Sequence, residues 1–292
     1  MDYSKENYKI GAIVIAYNPS TTLFKKCIGS IISQVNSVCV VDNSATDNSH
    51  LLTSYGNKLH YIPLLCNKGI AAAQNIGIKY FCEQGYDFVI FSDQDSTSTG
   101  SLIQDLAEAF FVLSSKEDIA CIGPMPINRK TGKPYLFEKC IIDKCEYSGI
   151  QYYKMYSIIS SYSFVPLAIF SEVGLMEERL FIDFVDDQWC WRAALKHKVS
   201  IMLPRTSIAH EQGVSSTFLG HTISISSVFR IYYQTRNLIW LCRKNYVPSY
   251  WKKMNLKKLI IKFFYYSIIP KQRFYYCQRM IKGLFAGIVE RL

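Results

Sequence analysis

The strongest constraint on the fold is an alternation of short runs rich in valine and isoleucine with segments whose apolar residues follow helical spacing. This alternation is typical of a sheet flanked by helices. Six segments are predicted strands: residues 10–16, 38–41, 59–64, 88–92, 120–123 and 199–203. Three are predicted helices: residues 21–35, 70–84 and 101–113. The sequence therefore predicts an α/β fold, and 292 residues with 49% hydrophobic content can bury one substantial core.

The positive charge of the chain is concentrated at its C-terminal end. Residues 230–292 hold 14 Lys and Arg against one acid, Glu290, whereas residues 1–229 hold 19 basic and 22 acidic side chains. Aromatic residues are interleaved with these cations, a combination that suits an anionic phospholipid interface. We predict a helical, basic and aromatic extension over residues 230–292 that associates with a membrane. For its first part, to about residue 241, packing on the core of the preceding domain is the alternative.

The remaining composition narrows the class of protein. Ten cysteines are scattered singly, which predicts reduced thiols instead of a disulfide framework or a structural zinc site. Residues 1–9 lack the basic start and apolar stretch of a secretory signal, so we expect a protein without a signal peptide that is not exported. Residues 155–170 are long enough for a short membrane span, but several serines and Pro166 favour a buried strand and turn.

Polar residues directly follow four of the predicted strands or lie near their ends. Because ligands bind beyond the carboxyl ends of strands in open α/β sheets, these residues are candidates for a binding site. The four groups are Tyr17-Asn18-Pro19, Asp42-Asn43-Ser44, Asn67-Lys68-Gly69 and Asp93-Gln94-Asp95.

Two of these groups carry carboxylates. Asp93 and Asp95 end a buried strand, and their spacing lets both reach one hard cation, such as Mg²⁺ or Mn²⁺, and the phosphates bound to it. The alternative is a solvated turn that caps the following helix. Asp42 can accept hydrogen bonds from a nucleoside, as acids at this place do in dinucleotide-binding folds. The alternative for Asp42 is a residue that closes an Asx turn.

A third group of acids, Asp183, Asp186 and Asp187, lies among large apolar residues at the start of a predicted helix. Shielding by aromatic residues raises the pKa of an acid toward the range of a general base. Acids at helix starts are also common because of the helix dipole. His210 follows another strand, where a lone histidine is more often structural, and Gly213 suggests a mobile loop able to fold over a site.

Taken in this order, the motifs resemble those of the inverting glycosyltransferase family 2, and within it the bacterial rhamnosyltransferase branch. The resemblance covers roughly residues 8–240. The motifs are Ala16-Tyr17-Asn18-Pro19, Val40 to Ser44, Asn67 to Asn75, Asp93-Gln94-Asp95, Phe181 to Asp186 with Trp189-Cys190 and Arg192-Ala193, and His210 to Gly213.

The resemblance implies the GT-A fold, a Rossmann-like nucleotide-diphospho-sugar transferase domain. That catalytic domain would span residues 1–229, with a donor-binding half at about 8–125 and an acceptor-binding half at about 126–229. The extension over residues 230–292 would follow it.

The resemblance also implies roles for individual residues. The implied donor-binding residues are Ala16, Tyr17, Asn18, Asp42, Asn67, Asn75, Asp93, Gln94, Asp95, His210 and Arg236. The implied metal ligands, for Mg²⁺ or Mn²⁺, are Asp93, Asp95 and His210. The implied acceptor-binding residues are Asp183, Trp189 and Arg192.

The catalytic base falls at Asp186 by the same resemblance, but Asp187 is a second candidate. Family members often carry an acid two residues after the base, and here that position is Gln188, while Asp187 intervenes. Ser161-Tyr162-Ser163 stands where a Ser-Gly turn is common before the acceptor region.

The implied reaction is inverting transfer of L-rhamnose from dTDP-β-L-rhamnose to a saccharide carried on a lipid of the undecaprenyl diphosphate type. The implied setting is O-antigen-type surface polysaccharide synthesis at the cytoplasmic face of the bacterial inner membrane. A UDP- or GDP-sugar donor remains an alternative. A single-stranded nucleic-acid-binding protein is the alternative from another class, but no RNA-binding motif is present, so no nucleic acid is expected. A metal-dependent phosphohydrolase or nucleotidyltransferase would use the same carboxylates and need no sugar acceptor.

Overall fold

The computed structural model describes residues 8–98, 100–128, 132–135, 138–210, 215–218 and 220–290, without the side chains of residues 210, 215 and 221–223. The strands are β1 (Ile10–Ala16), β2 (Ser37–Asp42), β3 (Leu59–Pro63), β4 (Phe88–Asp93), β5 (Ile119–Asn128), β6 (Ile141–Tyr147), β7 (Ile150–Met155), β8 (Phe164–Pro166), β9 (Val199–His210), β10 (Ser215–Phe218) and β11 (His221–Ser224). The helices are α1 (Thr21–Ile31), α2 (Ile70–Glu83), α3 (Leu102–Leu113), α4 (Ile169–Val173), α5 (Val185–Leu195), α6 (Val228–Cys242), α7 (Ser249–Ile268) and α8 (Arg273–Val289).

Strands β1 to β9 form one mixed sheet in the order β3-β2-β1-β4-β8-β5-β9-β7-β6. β3, β2, β1 and β4 are parallel to one another, and β8 runs antiparallel between β4 and β5. β5 and β9 are again parallel, and the β6–β7 hairpin closes the far edge. The carboxyl ends of β1, β2 and β4 therefore meet at one edge of the sheet, where the sequence places its polar motifs.

Helices cover both faces of this sheet because its central strands are apolar on both sides. α1 and α3 pack on one face with residues such as Phe24 and Leu106, and α2, α4 and α5 pack on the other with residues such as Phe81 and Trp189. α2 lies so close to β1 that a Cβ at Gly77 would be 2.5 Å from Ile13 Cγ2. The α/β prediction is confirmed.

The boundaries of several elements differ from the prediction. α1 ends at Ile31 because the chain turns after it to bring Val35 into the core. β5 and β9 run well past their predicted ends, since their pairing resumes after a register shift between the Pro124–Leu203 and Met125–Ser207 pairs. The prediction stopped β9 before the bulge, where Pro204 interrupts the apolar run.

The three last helices form a unit that is tied to the catalytic core. α6 buries Leu238 and Leu241 in a cluster that also contains Trp191 of α5. α8 packs closely along α6. The contact leaves no room for a side chain at Gly283, where a Cβ would be 2.6 Å from the carbonyl oxygen of Tyr232. The first part of the basic extension thus packs on the core, as the alternative interpretation of its sequence has it.

α7, α8 and the turn between them also expose many large apolar side chains. Exposed apolar residues in this number on neighbouring elements favour an interaction site. In the part of the chain that the structure describes, no helix is both long and apolar enough to cross a membrane. The exposed residues are Leu256, Ile260, Phe263, Phe264, Ile268, Ile269, Phe274, Tyr275, Ile281, Leu284, Phe285, Ile288 and Val289.

Candidate active site

A cleft of about 1210 Å³ opens at the carboxyl edge of the parallel strands. One wall consists of the ends of β1 and β4 with the start of α2, and the other consists of residues 181–186 with parts of α6 and α7. The cleft therefore lies between the sheet and the C-terminal helices. The predicted site residues that line it are Tyr17, Asn67, Asp93, Gln94, Asp95, Asp183 and Asp186.

Gln94 joins the ends of β1 and β4 at the edge of the cleft. Its Oε1 accepts a hydrogen bond from the Tyr17 amide at 2.7 Å, and its Nε2 donates to the Tyr17 carbonyl at 3.2 Å. On either side of Gln94, Asp93 is half-buried and Asp95 is exposed. This bridge fixes the turn that carries the two carboxylates.

These carboxylates fit a divalent cation that is shared with a substrate. The described residues contain no group of three or more His, Cys, Asp or Glu able to hold a metal. Mg²⁺ and similar ions are commonly bound by one or two carboxylates together with substrate phosphates and water. Asp93 and Asp95 supply that donor set of hard oxygens, and both face the cleft.

Asp42 stabilises the turn after β2 and is only 1% exposed. Its carboxylate accepts hydrogen bonds from Tyr61 Oη and Asn48 Nδ2, both at 2.8 Å, and from the Ser44 amide at 2.9 Å. Asn43, one residue further, is the side chain of this strand end that lines the cleft. Contact between Asp42 and a nucleoside stays a prediction, and the structure gives this carboxylate three partners of its own.

Asn43 also connects β2 to the loop before α2. Its Nδ2 donates to Asn67 Oδ1 at 3.1 Å, and its Oδ1 accepts from the Lys68 amide at 2.7 Å. Gln74 of α2 follows on the same wall and is 3% exposed, and its buried Oε1 has no hydrogen-bond partner among the described residues. A buried acceptor of this kind suits a donor group on a ligand.

Two predicted donor-binding residues do not line the cleft, because backbone groups occupy their side chains. Asn75 is 2% exposed and bonds both the amide and the carbonyl of Met176. Arg236 donates to the carbonyl of Arg179, and its guanidinium lies 4.1 Å from the centroid of the Trp240 ring. Both side chains hold the chain in place instead of facing a ligand.

The same holds for two predicted acceptor-binding residues. Trp189 is buried, and its indole N–H donates to the carbonyl of Gly174 at 2.9 Å. The guanidinium of Arg192 donates to the carbonyls of Val173 and Leu175. These side chains satisfy the turn after α4 and lie outside the residues that line the cleft.

Two further predicted residues, Ala16 and Asn18, stand apart from the cleft lining. Ala16 is fully buried in the sheet. Asn18 is exposed, and its amide donates to Ser44 Oγ at 2.7 Å. His210 ends β9, but its side chain and Gly213 lie outside the described residues.

The three clustered acids have different surroundings. Asp183 forms a bidentate ion pair with Arg230, with N–O distances from 2.7 to 3.1 Å. Asp186 lines the cleft, and its Oδ2 accepts from the Ser160 amide at 3.1 Å. Asp187 accepts from Ser157 Oγ instead.

Burial raises the pKa values of the two neighbouring acids. Desolvation raises the pKa of Asp186, against the hydrogen bonds from the amides of Asp187 and Ser160 that lower it. Desolvation, followed by the charge of Asp186, raises the pKa of Asp187 to about 7. A carboxylate with a raised pKa is a stronger proton acceptor, which suits a general base.

The backbone in front of these acids is strained. Phe181, Asp183 and Phe184 all have positive φ, near 64–67°, a conformation that L-residues seldom adopt. Asn237 of α6 holds this segment by donating to the carbonyls of Leu180 and Ile182, both at 2.8 Å. The strained segment is therefore anchored to the C-terminal helices.

The same segment is also anchored to the start of α2. The amide of Ile70, at the start of α2, donates to the Phe181 carbonyl at 2.7 Å. A Cβ at Gly69 would be 2.6 Å from that carbonyl oxygen, and Gly69 has φ of 87°. Only glycine meets both conditions, which explains this residue of the Asn67-Lys68-Gly69 motif.

We expect Asn237→Ala to destabilise the protein by about 2–3 kcal/mol, because it leaves buried carbonyls without donors. This corresponds to a fall in Tm of about 4–12 °C for a chain of this size. Thermal unfolding followed by circular dichroism would measure it. The matched control is Asn57→Ala, since Asn57 is exposed in the turn before β3. Equal Tm values for the two variants would contradict the anchoring role.

Sequence reasoning missed several residues of the cleft. Arg230 and Gln234 lie one turn apart on α6 and both bond Asp183. Lys258 and Lys262 lie one turn apart on α7 and also line the cleft. The sequence does show that the members of each pair are four residues apart, which places both side chains on one face of a helix. It does not show that these faces lie near the acids at residues 183–186, because the pairs are far from them along the chain.

Comparison with known proteins agrees with this geometry. Residues 12–170 match the family model described as Glycosyl transferase family 2. The chain is 31% identical over 293 residues to the dTDP-rhamnosyl transferase RfbF of Shigella flexneri, covering 97% of this chain and 96% of that protein.

Solved structures share the fold at low sequence identity. The chain resembles S. aureus TarS 1-349 in complex with UDP-GlcNAc with a TM-score of 0.58 and 16% identity, covering 96% of this chain and 80% of that one. It resembles GalNAc-T7 with UDP, GalNAc and Mn²⁺ with a TM-score of 0.56 and 13% identity, covering 90% of this chain but only 57% of that chain. The family match and the extended similarity to RfbF show that the chain belongs to glycosyltransferase family 2 and is a glycosyltransferase with the GT-A fold.

Proposed function

We propose that this protein is an inverting rhamnosyltransferase that moves L-rhamnose from dTDP-β-L-rhamnose to a lipid-linked saccharide. The observation that carries the proposal is that one cleft is lined by Asp93 and Asp95, by Tyr17, Asn43 and Asn67 near them, and by Asp186 at the start of α5. We call the part lined by the strand ends and the start of α2 the donor wall. Similarity to RfbF over nearly the whole chain supports the choice of donor.

The donor wall supplies the groups that a nucleoside diphosphate requires. Asp93 and Asp95 would hold Mg²⁺ or Mn²⁺, which when bound neutralises negative charge on the diphosphate leaving group. Tyr17 and Gln94 shape the turn beside it, and Asn43 and Asn67 line the adjoining surface. The exposed ring of Tyr17, at 49% exposure, is available to pack against the nucleoside.

Asp186 is the better candidate for the base. It lines the cleft, whereas Asp187 bonds Ser157 and lies outside the cleft lining. The Ser160 amide orients the Asp186 carboxylate so that it can take the proton of an acceptor hydroxyl. Attack by that hydroxyl from the face opposite the leaving diphosphate inverts the anomeric centre.

The C-terminal helices support a lipid-linked acceptor and a place at the cytoplasmic face of a bacterial inner membrane. α7, α8 and the turn between them carry exposed apolar residues together with the exposed cations Lys253, Lys257, Lys271, Arg273, Arg279 and Lys282. Each cation near an anionic lipid surface contributes on the order of 1 kcal/mol to binding. Surface polysaccharide assembly of the O-antigen type uses acceptors carried on such a membrane.

Calorimetric titration with dTDP, UDP and GDP tests the donor. In the presence of Mn²⁺ we expect dTDP to bind at least about tenfold more tightly than UDP or GDP, a difference of about 1.4 kcal/mol. Chelation with EDTA should weaken all binding, because the diphosphate then loses its shared cation. Incubation with dTDP-β-L-rhamnose should release dTDP only when an acceptor is present.

Each contrary result has a distinct meaning. Preference for UDP or GDP would keep the transferase but change the sugar donor. Failure to bind any of the three nucleotides would contradict the donor-site assignment. Release of inorganic phosphate without an acceptor would favour a phosphohydrolase built on the same carboxylates.

A further inference from the structure

The cleft contains a pair of lysines that the donor site does not use. Lys258 and Lys262 are four residues apart on α7, so their side chains leave the same face of the helix. Both are half-buried, and both line the cleft together with Asn255 and Leu259. Two ammonium groups on one side of a cleft raise the local concentration of anions there.

Lys262 is joined by hydrogen bonds to α6 and, through Gln234, to Asp183. Its Nζ donates to Gln234 Oε1 at 3.0 Å, and Gln234 Nε2 donates to Asp183 Oδ1 at 3.3 Å. Asp183 also forms the ion pair with Arg230. Lys262 is therefore linked to the wall formed by residues 181–186 and α6, and among the described residues its side chain forms no hydrogen bond with the ends of β1 and β4.

Burial in the cleft changes the pKa values of both lysines in the same direction. Desolvation by burial lowers the pKa of Lys258, and it lowers the pKa of Lys262 to about 8. A bound polyanion would reverse this effect, because it stabilises the charged form of both groups.

The outer face of the same helix is apolar. Leu256, Ile260, Phe263 and Phe264 are exposed at helical spacing along α7, on a face distinct from that of the two lysines. One helix thus presents cations to the cleft and an apolar stripe to the outside. A ligand with a phosphate head and a hydrocarbon tail matches both faces.

We propose that Lys258 and Lys262 form a subsite for the diphosphate of the lipid-linked acceptor, with the lipid chain leaving along the apolar face of α7. This inference rests on the proposed function, since it presumes an acceptor carried on a lipid diphosphate. The shared chemistry is a diphosphate, and the nucleotide donor also carries one. The experiment must therefore distinguish the two sources.

Farnesyl diphosphate is the probe, titrated into the full chain that is saturated with dTDP and Mn²⁺. We expect wild-type protein to bind it more tightly than farnesyl monophosphate or farnesol. The double variant Lys258→Ala/Lys262→Ala should bind it at least about tenfold more weakly, since each lost charge-assisted hydrogen bond costs about that factor or more. Titration of dTDP into the same variant should give the wild-type affinity, which also shows that the variant is folded.

The matched control is Lys25→Ala/Lys26→Ala, which removes the same charge from exposed positions on α1, outside the cleft lining and outside the C-terminal helices. It should bind farnesyl diphosphate like the wild type. Equal binding by the wild type and the cleft double variant would overturn the subsite. So would a loss of dTDP affinity with farnesyl diphosphate binding retained, because the lysines would then serve the donor. Failure of the wild type to bind dTDP would instead contradict the proposed function.

Discussion

Asp186→Asn should lower kcat by about 10²–10⁴-fold while leaving dTDP binding unchanged. The amide keeps the shape of the side chain and can still accept from the Ser160 amide, but it cannot take a proton. The donor wall is formed by other elements, so its affinity for the nucleotide should not change. Rates of rhamnosyl transfer, with calorimetry of dTDP on the same preparation, measure both quantities.

Asp187→Asn is the matched control because it makes the same replacement, one carboxylate oxygen by an amide nitrogen, in the adjacent acid. We expect it to retain most of the activity, since Asp187 lies outside the cleft lining. If Asp187→Asn abolished transfer and Asp186→Asn did not, the roles of the two acids would have to be exchanged.

The pH profile separates the two acids further. A base must be ionised, and the pKa of Asp186 is raised by burial while that of Asp187 is raised to about 7. Wild-type kcat should therefore rise with pH and level off only above the usual titration range of an aspartate. Asp187→Asn removes a neighbouring negative charge, so its inflection should move to lower pH. An inflection that stayed in place would contradict electrostatic coupling between the two carboxylates.

The donor half of the fold was predictable because its signals are local. β1, β2 and β4 are short apolar runs. Tyr17 and Asn43 directly follow β1 and β2, and Asp93 is the last residue of β4. Parallel pairing of these strands then brings their carboxyl ends together without further information. The same logic predicted that carboxylates would meet at this edge.

The β6–β7 hairpin and the opposite wall were not predictable in the same way. β6 is largely exposed and polar, so it lacks the apolar run that reveals the central strands. The Asp183–Arg230 ion pair joins residues 47 positions apart, and nothing local to either residue indicates it. Pairing of this kind depends on how α6 packs against α5.

Some residues in the polar motifs have structural roles that the sequence does not indicate. Asn75 and Arg192 were predicted to bind ligands because of their motifs, but their side chains satisfy backbone carbonyls at turns. Buried polar side chains of this type are retained to avoid unpaired backbone groups. A motif alone does not say whether its amide or guanidinium faces a ligand or the chain itself.

The second large effect is expected at the donor wall, where Asp93→Asn/Asp95→Asn should abolish the dependence of dTDP binding on Mn²⁺. Both carboxylates line the cleft, and each amide is a much weaker ligand for a hard cation. We expect dTDP affinity in Mn²⁺ to fall to the level of the wild type in EDTA. Transfer should fall by at least about 10²-fold, because charge on the leaving diphosphate is no longer neutralised.

Asp105→Asn provides the matched control for this double variant, since Asp105 is an exposed acid in the first turn of α3, outside the cleft. It should keep both the Mn²⁺ dependence and the rate of transfer. Retained Mn²⁺ dependence in Asp93→Asn/Asp95→Asn would show that the cation is held elsewhere. Gln94 fixes this turn through the backbone of Tyr17, and neither substitution removes that contact. The free energy of unfolding of the double variant should therefore stay within about 1 kcal/mol of the wild-type value. This measurement separates loss of the cation from loss of the fold.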